Sequence, residues 1–253
     1  MKLKHTLSVL LFCSIAFTIK AQETTADSAV AISIFEASLS IHEPGGDLKE
    51  NFGQSTNINV AFNRKLKTNW TFGGQVSFIT GGNVKNETEL VSNIISSSGA
   101  LASDGRTTQI SMDERGMNFS LNIGKVYPIF GSNKNSGLWL QFGAGYLYHK
   151  IKIEDIDAKS PIFLDEEILK GYDNLSAGPS TSQSIGYIHL SDKKVVNFYV
   201  GLEFIQAYTK NLRKYSYQEM KPVSGSKFDS LIGIKIGWVI PTYKRVTDKY
   251  HFY

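Results

Sequence analysis

The chain has 253 residues, including 27 Lys and Arg, 23 Asp and Glu, and one Cys. This length is enough for one sizeable domain, and the single cysteine excludes a disulfide framework and a cysteine-ligated metal site. The formal charge of +4 gives no case for nucleic-acid binding, because three lysines lie in the first 21 residues and their removal leaves 24 of the 27 basic residues against 23 acidic ones.

The N-terminus has the pattern of an export signal. Two lysines precede a short apolar run, and Ala21 offers a small residue for cleavage. The run is too short for a transmembrane helix, and the residue before Cys13 is not the small one that a lipoprotein signal needs. We therefore predict a cleaved signal peptide over residues 1–21, followed by a short periplasmic segment over 22–30.

A two-residue alternation of apolar and polar side chains dominates the rest of the chain and predicts β-strands. Most of these segments reach the roughly nine to eleven residues that a tilted strand needs to cross a bilayer. The predicted strands cover residues 31–42, 54–65, 70–80, 115–128, 138–154, 181–191, 196–211 and 229–243.

One face of these strands is apolar, and the other carries Asn, Gln, Ser, Gly and a few charges. Strand six leaves its orientation open, since Ile185 and Tyr187 compete with Gly186 and Ile188 for the apolar side. A soluble sandwich also alternates, and a lipocalin-type barrel would turn its apolar face inward to hold a ligand. The polar second face instead suits the interior of a membrane barrel.

The lengths of the connections and the aromatic residues also favour a barrel in the outer membrane. Short links after strands two, four and six alternate with long ones, as periplasmic turns and outer loops do. Trp70, Trp139, Tyr127 and Tyr243 fall at the periplasmic ends of their strands, where an aromatic girdle is expected. We predict an all-β fold: an eight-stranded antiparallel up-and-down transmembrane β-barrel over residues 31–244, with a C-terminal tail over 245–253.

With this pattern in place, the chain resembles the small outer-membrane barrels of Bacteroidota. More loosely, in size and style rather than in a motif, it is similar to the barrels that accompany the type 9 secretion and gliding apparatus. The resemblance implies the barrel class, and it implies no activity. It is carried by segments such as "WTFGGQVSFITGGNVK", "GSNKNSGLWLQFGAGYLYHKIKIE" and "VNFYVGLEFIQAYTKNLR".

Lys235 is out of place in an otherwise apolar strand, "DSLIGIKIGWVIPTY". The two-residue period sends it to the lumen, opposite the flanking isoleucines. Closure brings strand eight beside strands seven and one, whose inward faces carry Glu203 and Glu36. Because charges inside a narrow lumen must be paired, we predict that Lys235 lies between these acids. Further neighbours expected in this interior charge network are Tyr199, Ser38 and Gln75.

Chemistry at the outer leaflet is the main alternative. His42 and His149 fall near the outer ends of strands one and five, and Ser40, Asp155 and Asp157 are conceivable partners for an enzyme acting on lipid A or peptides. No spacing makes a nucleophile–base pair, and no histidine pair has metal-ligand spacing. We therefore expect no catalytic residue, metal or cofactor. A narrow channel or small-ligand carrier stays open, although a barrel of this size is filled by its own side chains.

The long outer loops contain more apolar residues than a solvated loop needs. The third loop reads "PIFLDEEILKGYDNL", and Phe163, Leu164, Ile168 and Tyr172 are candidates for docking a protein partner. The alternative is that the second and third loops each form a short helix and fold over the barrel mouth.

We therefore predict a non-enzymatic outer-membrane barrel that serves as a structural or accessory component. Its expected partners are outer-membrane lipid and lipopolysaccharide, a protein at the outer loops, and the barrel assembly machinery during biogenesis. Gly233, Ile236 and Trp238 partly match the C-terminal signal that such machinery reads.

Overall fold

The computed structural model describes residues 29–91, 100–101, 107–155, 166–191, 196–213, 215–218 and 220–243. The predicted signal peptide, most of the segment after it and the C-terminal tail lie outside these described residues.

Eight strands pair antiparallel in chain order, and the last closes onto the first to form a barrel. This confirms the predicted fold class. The strands are β1 (Ile32–Gly46), β2 (Ser55–Lys65), β3 (Trp70–Gly81), β4 (Ile110–Tyr127), β5 (Gly137–Asp155), β6 (Ser176–Leu190), β7 (Asn197–Asn211) and β8 (Ser226–Tyr243).

The barrel has a turn end and a loop end. Both ends of the described chain and the short links lie at the turn end. The loop end carries loop one (47–54), loop two (82–109), loop three (156–175) and loop four (212–225). In the described part of these loops there are three short helices, two of them in loops two and three as the alternative interpretation has it: α1 (Leu48–Asn51), α2 (Glu87–Leu90) and α3 (Glu166–Leu169). No helix in the described ranges is long and apolar enough to cross a membrane.

The link between β2 and β3 shows how a local turn sets the register of a strand pair. Asn69 has a φ of 65°, a left-handed conformation that Asn tolerates better than most residues. Its N–H donates to the Leu66 carbonyl at 3.0 Å, and the Leu66 N–H donates to the Trp70 carbonyl at 2.8 Å. The tight turn therefore fixes which residues of β2 and β3 face each other.

An apolar belt surrounds the outside of the barrel because alternate side chains of every strand point outward. In β6 the ambiguity is resolved: Ile185 is exposed, whereas Ile188 is fully buried inside. Exposed members of the belt include Phe35, Leu39, Ile58, Val60, Phe72, Phe78, Phe119, Leu121, Phe142, Leu202, Ile232, Ile234, Ile236 and Ile240.

The predicted aromatic girdle is wrong for two of its four residues. Trp70 and Tyr127 are exposed on the outside, with Lys125 Nζ 5.4 Å from the centre of each ring. Trp139 is fully buried in the lumen, and Tyr243 packs partly buried against the same interior cluster. The position of each aromatic residue near a strand end correctly predicts its height along the barrel axis. Whether its side chain points outward or into the lumen depends on whether it falls on the odd or even positions of the strand.

The lumen is filled in three layers. At the turn end an apolar cluster, the turn-end cluster, consists of Ile32, Ile34, Val126, Trp139, Ile188, Leu190, Tyr199 and Val239. At the loop end a larger one, the loop-end cluster, includes Leu48, Phe52, Ile79, Val84, Leu90, Val91, Met112, Leu147, Ile151, Ile153, Tyr172, Ile205 and Leu231. Between them lies a polar layer with buried residues such as Glu36, Ser40, His42, Asn57, Asn59, Gln75, Asn118, Glu203 and Lys235.

Candidate functional site

Lys235 lies in the polar layer, in a chamber of charged and amide side chains that we call the charged chamber. Its Nζ atom is 3.0 Å from Glu36 Oε1 and 3.6 Å from Glu203 Oε1. It donates a hydrogen bond of 2.7 Å to Gln75 Oε1, and Ser38 donates one of 2.9 Å to Glu36 Oε1. The structure thus brings together the three charged residues named from the sequence, and each is at most 3% exposed.

The strand register and a glycine on the neighbouring strand make room for this lysine. Lys235 lies opposite Ser40 of β1 and Gly201 of β7. The Tyr199 ring leans over Gly201, where an added Cβ would lie 2.5 Å from the phenol oxygen. Glycine is therefore needed there, and the ring centre comes within 5.6 Å of the lysine Nζ atom, close enough for a cation–π contact.

His42 and Ser40, both considered as enzyme residues, instead support Glu203. His42 Nε2 lies 3.3 Å from Glu203 Oε2, and Ser40 Oγ donates to the same oxygen at 3.3 Å. Gln75 Nε2 donates to Glu203 Oε1 at 3.0 Å. All of these side chains are buried inside the lumen, so a lipid or peptide at the outer surface does not reach them.

His149 is also a lumen residue. Its Nε2 atom lies 3.0 Å from Asp229 Oδ2, and the Thr209 hydroxyl donates to that same oxygen at 2.5 Å. In a catalytic triad the hydroxyl bonds the imidazole, and the carboxylate holds the opposite ring nitrogen. Here the hydroxyl and the imidazole both contact the carboxylate. The Phe52 ring packs edge-on against the imidazole at 5.9 Å, so the group braces the loop-end cluster.

One cavity in the polar layer of the described residues is small. A cavity lined by Gln75, Asn122, Gln141 and Glu203 has a volume of about 10 Å³, roughly the space for a single water. Several nearby amides, including those of Asn57, Asn63 and Asn118, have buried atoms without a hydrogen-bond partner among the described residues. Buried polar atoms in folded proteins are normally paired with protein or ordered water, so these amides suit isolated internal waters.

The turn end is closed by packing and by a hydrogen-bonded plug. The Trp139 ring meets the Tyr199 ring edge-on at 5.7 Å, and its N–H donates to Thr71 Oγ1 at 3.0 Å. Below them, Asn135 Oδ1 accepts from the Lys65 ammonium at 2.8 Å and from the Val30 N–H at 2.9 Å. Val30, just before β1, therefore packs against this end of the lumen.

The two loop-three docking candidates that the structure describes, Ile168 and Tyr172, lie partly or fully buried. Tyr172 is 4% exposed and belongs to the loop-end cluster, and Ile168 is partly buried against it. Burial also raises the pKa of the Tyr172 phenol. Tyr172 and Ile168 turn inward and cover the mouth of the barrel, as the alternative interpretation expected. Phe163 and Leu164 lie outside the described residues.

Loop four carries the exposed apolar residues that the sequence reasoning missed. A short hairpin pairs Tyr215–Ser216 with Lys221–Pro222. Around it, four side chains that are 39–67% exposed form what we call the loop-four platform: Leu212, Tyr215, Tyr217 and Met220. The two tyrosines in "KYSYQEM" could have indicated an exposed aromatic surface. The nearby sequence does not indicate that this loop packs against loop three.

Contacts with loop three hold the platform in place. The Tyr217 N–H donates to the Gly171 carbonyl at 3.0 Å, and the Tyr217 ring lies 5.7 Å from that of Tyr172. Arg213 donates to both carboxylate oxygens of Asp173, at 3.0 Å and 2.6 Å. These hydrogen bonds raise the pKa of the Arg213 guanidinium. Loop three therefore holds the platform in a fixed position within the chain itself.

No group of three or more His, Cys, Asp and Glu in the described part of the chain is arranged to hold a metal ion.

No protein-family model and no curated protein matches the sequence. Solved structures of outer-membrane proteins are similar in fold. Ail, the attachment invasion locus protein of Yersinia pestis, is 8% identical with a TM-score of 0.41, over 83% of this chain and 98% of that one. A major outer membrane protein from Thermus thermophilus is 10% identical with a TM-score of 0.42, over 83% and 99%. OprG from Pseudomonas aeruginosa is 10% identical with a TM-score of 0.36, over 88% and 100%. These values are low, so the fold assignment rests on the strand pairing of the chain itself.

Proposed function

We propose that this chain is an integral outer-membrane β-barrel with a sealed lumen, and that it acts as a structural or accessory component presenting its loop end to a protein partner. The filled lumen is the observation that carries the proposal. An apolar cluster closes each end, and between them the Lys235 ammonium is held by two carboxylates. Such a barrel has surfaces that a partner can bind but no path for solutes through its lumen.

The spacing of charges along β4 supports a transmembrane orientation. Its outward side chains are apolar between Arg115 and Lys125, comprising Met117, Phe119, Leu121 and Ile123. The strand rises about 34 Å over this interval at about 3.4 Å per residue. At a tilt of about 40° this gives about 25 Å along the barrel axis, the height of the apolar band in outer-membrane barrels. The long loops then face the outside and the short turns the periplasm.

A conductance measurement tests the sealed lumen. The purified protein is inserted into planar lipid bilayers, and single-channel currents are recorded, with an open porin as the positive control. We expect no steady conductance, because the two apolar clusters and the paired charges leave no continuous aqueous path. Reproducible unitary currents from the folded barrel would overturn the proposal and favour the narrow channel.

The loop-four platform supports docking of a protein. Tyrosine, methionine and arginine are enriched in protein interfaces, and a surface held rigid before binding loses less entropy when it binds. Lys210 and Lys221 lie beside the platform and are exposed. We infer a partner with an apolar patch rimmed by carboxylates. A component of a secretion or gliding assembly, as the resemblance to Bacteroidota barrels implies, is one form of such a partner.

Site-specific crosslinking from native outer membranes tests the docking. A photo-reactive residue at Tyr215 should capture one defined protein, and adding Met220→Ser should reduce its yield several-fold. The matched control places the same probe at Phe130, which is 86% exposed at the turn end and should not capture that protein. Equal capture from both ends, or a yield unchanged by the substitution, would refute the platform. Phe163→Ser with Leu164→Ser measures separately what loop three contributes.

A further inference from the structure

The outer wall formed by β3, β4 and β5 carries a long groove within the apolar belt. Its upper part, of about 400 Å³, is lined by Ile58, Phe78, Met117 and Tyr148, with Arg115 at its top. Its lower part, of about 430 Å³, is lined by Gly74, Val76, Phe119, Leu121, Ala144 and Tyr146. The two parts follow one another along the same strands, because Phe78, Met117 and Tyr148 are each two residues from a member of the lower part.

Small residues create the lower part of the groove. Gly74 and Ala144 occupy outward positions where most of the belt has large apolar side chains. A Cβ added at Gly74 would lie 3.4 Å from the nearest atom, the Ser120 carbonyl oxygen, which is an ordinary contact distance. Packing inside the barrel therefore does not require glycine at position 74. The small side chains at positions 74 and 144 instead leave a depression in the outer surface.

Two cations face each other at the top of the groove. Arg115 of β4 and Lys150 of β5 are directly opposite partners in the antiparallel pair, and both point outward. Like charges in this arrangement are destabilising. Asp113 accepts a hydrogen bond of 3.0 Å from Arg115 Nη2, and Thr80 Oγ1 accepts from Nη1. These partners fix the guanidinium at the rim, and its five N–H groups exceed the two contacts made within the described residues.

The geometry points to a binding site for a phosphorylated lipid of the outer leaflet, with an acyl chain in the groove and a phosphate between Arg115 and Lys150. A phosphate oxygen would accept charge-assisted hydrogen bonds from both cations and would add to the partial neutralisation that Arg115 already receives from its ion pair with Asp113. The hydrocarbon chain would cover the exposed rings of Phe78 and Phe119. The class of lipid is that of lipid A, since the site lies at the loop end. The inference rests on the transmembrane orientation in the proposed function.

Native mass spectrometry of the barrel released from lipid nanodiscs tests this site. The full folded chain is reconstituted with diphosphorylated lipid A or with its dephosphorylated form, and bound lipid is counted. We expect one retained molecule of the phosphorylated form and far less of the other. Combining Arg115→Gln with Lys150→Gln should weaken retention at least about tenfold, the effect of losing one charge-assisted hydrogen bond. Lys49→Gln, an exposed lysine in loop one at the same end, should leave retention unchanged.

The groove itself is tested by filling it. Ala144→Leu should lower retention of phosphorylated lipid A, whereas Ala37→Leu, an outward alanine on β1, should not. Equal retention by all variants, or equal retention of both lipid forms, would overturn the site. The proposed function is judged separately, by conductance and crosslinking. Heat-modified gel migration reports whether each variant is folded, so loss of lipid from an unfolded barrel is not counted.

Discussion

Replacing Lys235 with Met should destabilise the barrel strongly, because it leaves two buried carboxylates without their common cation. The lysine contacts Glu36 at 3.0 Å and Glu203 at 3.6 Å. At an effective dielectric constant of about 20, each contact corresponds to an attraction of about 5 kcal/mol. The desolvation cost of the ammonium offsets much of this. We therefore expect the free energy of unfolding to fall by about 3–5 kcal/mol, the range measured when one partner of a buried ion pair is removed.

Equilibrium unfolding in guanidinium, followed by tryptophan fluorescence in phospholipid vesicles, measures this loss, and heat-modified gel migration should shift to lower temperature. Lys152→Met is the matched control, because its ion pair with Glu154 is 2.5 Å long but solvent-exposed, and exposed ion pairs contribute little to stability. A Lys235→Met barrel no less stable than the Lys152→Met barrel would refute the reasoning.

A triple variant separates the loss of charge pairing from the loss of packing. Adding Glu36→Gln and Glu203→Gln to Lys235→Met removes all three charges and keeps the shape of the chamber. Because neutral replacement of a complete buried ion pair is often tolerated, the triple variant should recover most of the lost stability. If it is as unstable as Lys235→Met alone, packing and not charge accounts for the effect.

Three further predictions concern the interior and the mouth. Gly73→Ala should destabilise the barrel by about 1–3 kcal/mol, because its Cβ would lie 2.0 Å from the Phe62 carbonyl oxygen, whereas Gly74→Ala, with 3.4 Å of clearance, should be nearly neutral in the same unfolding assay. Trp139→Ala should lower the free energy of unfolding by about 3–5 kcal/mol by opening a cavity in the turn-end cluster, and a value near 1 kcal/mol would place that ring outside the core. Arg213→Ala should increase hydrogen exchange in residues 215–218 without changing the barrel amides, because the local bonds that hold loop four are lost; equal exchange in both proteins would argue against the brace.

The corrections come from the parity of one strand residue and from contacts that join distant parts of the chain. Trp139 was assigned to an outer girdle from its level along the strand, yet its parity turns it inward against Tyr199. Tyr172 was considered exposed because loop three is rich in apolar residues, yet loop four lies against it. The inward face of Trp139 is readable from its alternation with Leu138 and Leu140, whereas the contact between Tyr172 and loop four leaves no mark in the nearby sequence. The cation pair of Arg115 and Lys150 was likewise invisible before the register of β4 and β5 was known.

The sequence by itself determined those features of the fold that depend on local backbone geometry. The two-residue alternation specified eight strands and the face of almost every residue, and alternating link lengths specified which end carries the loops. The alternation of side chains, together with closure of the barrel between the first and last strands, was enough to predict that Lys235 lies near Glu36 and Glu203. Only the tertiary structure decided which layers close the lumen, which loop covers another and where cations meet on the outer wall. These features depend on the stagger between strands and on packing across the barrel, and both relate residues far apart in the chain that no local period connects.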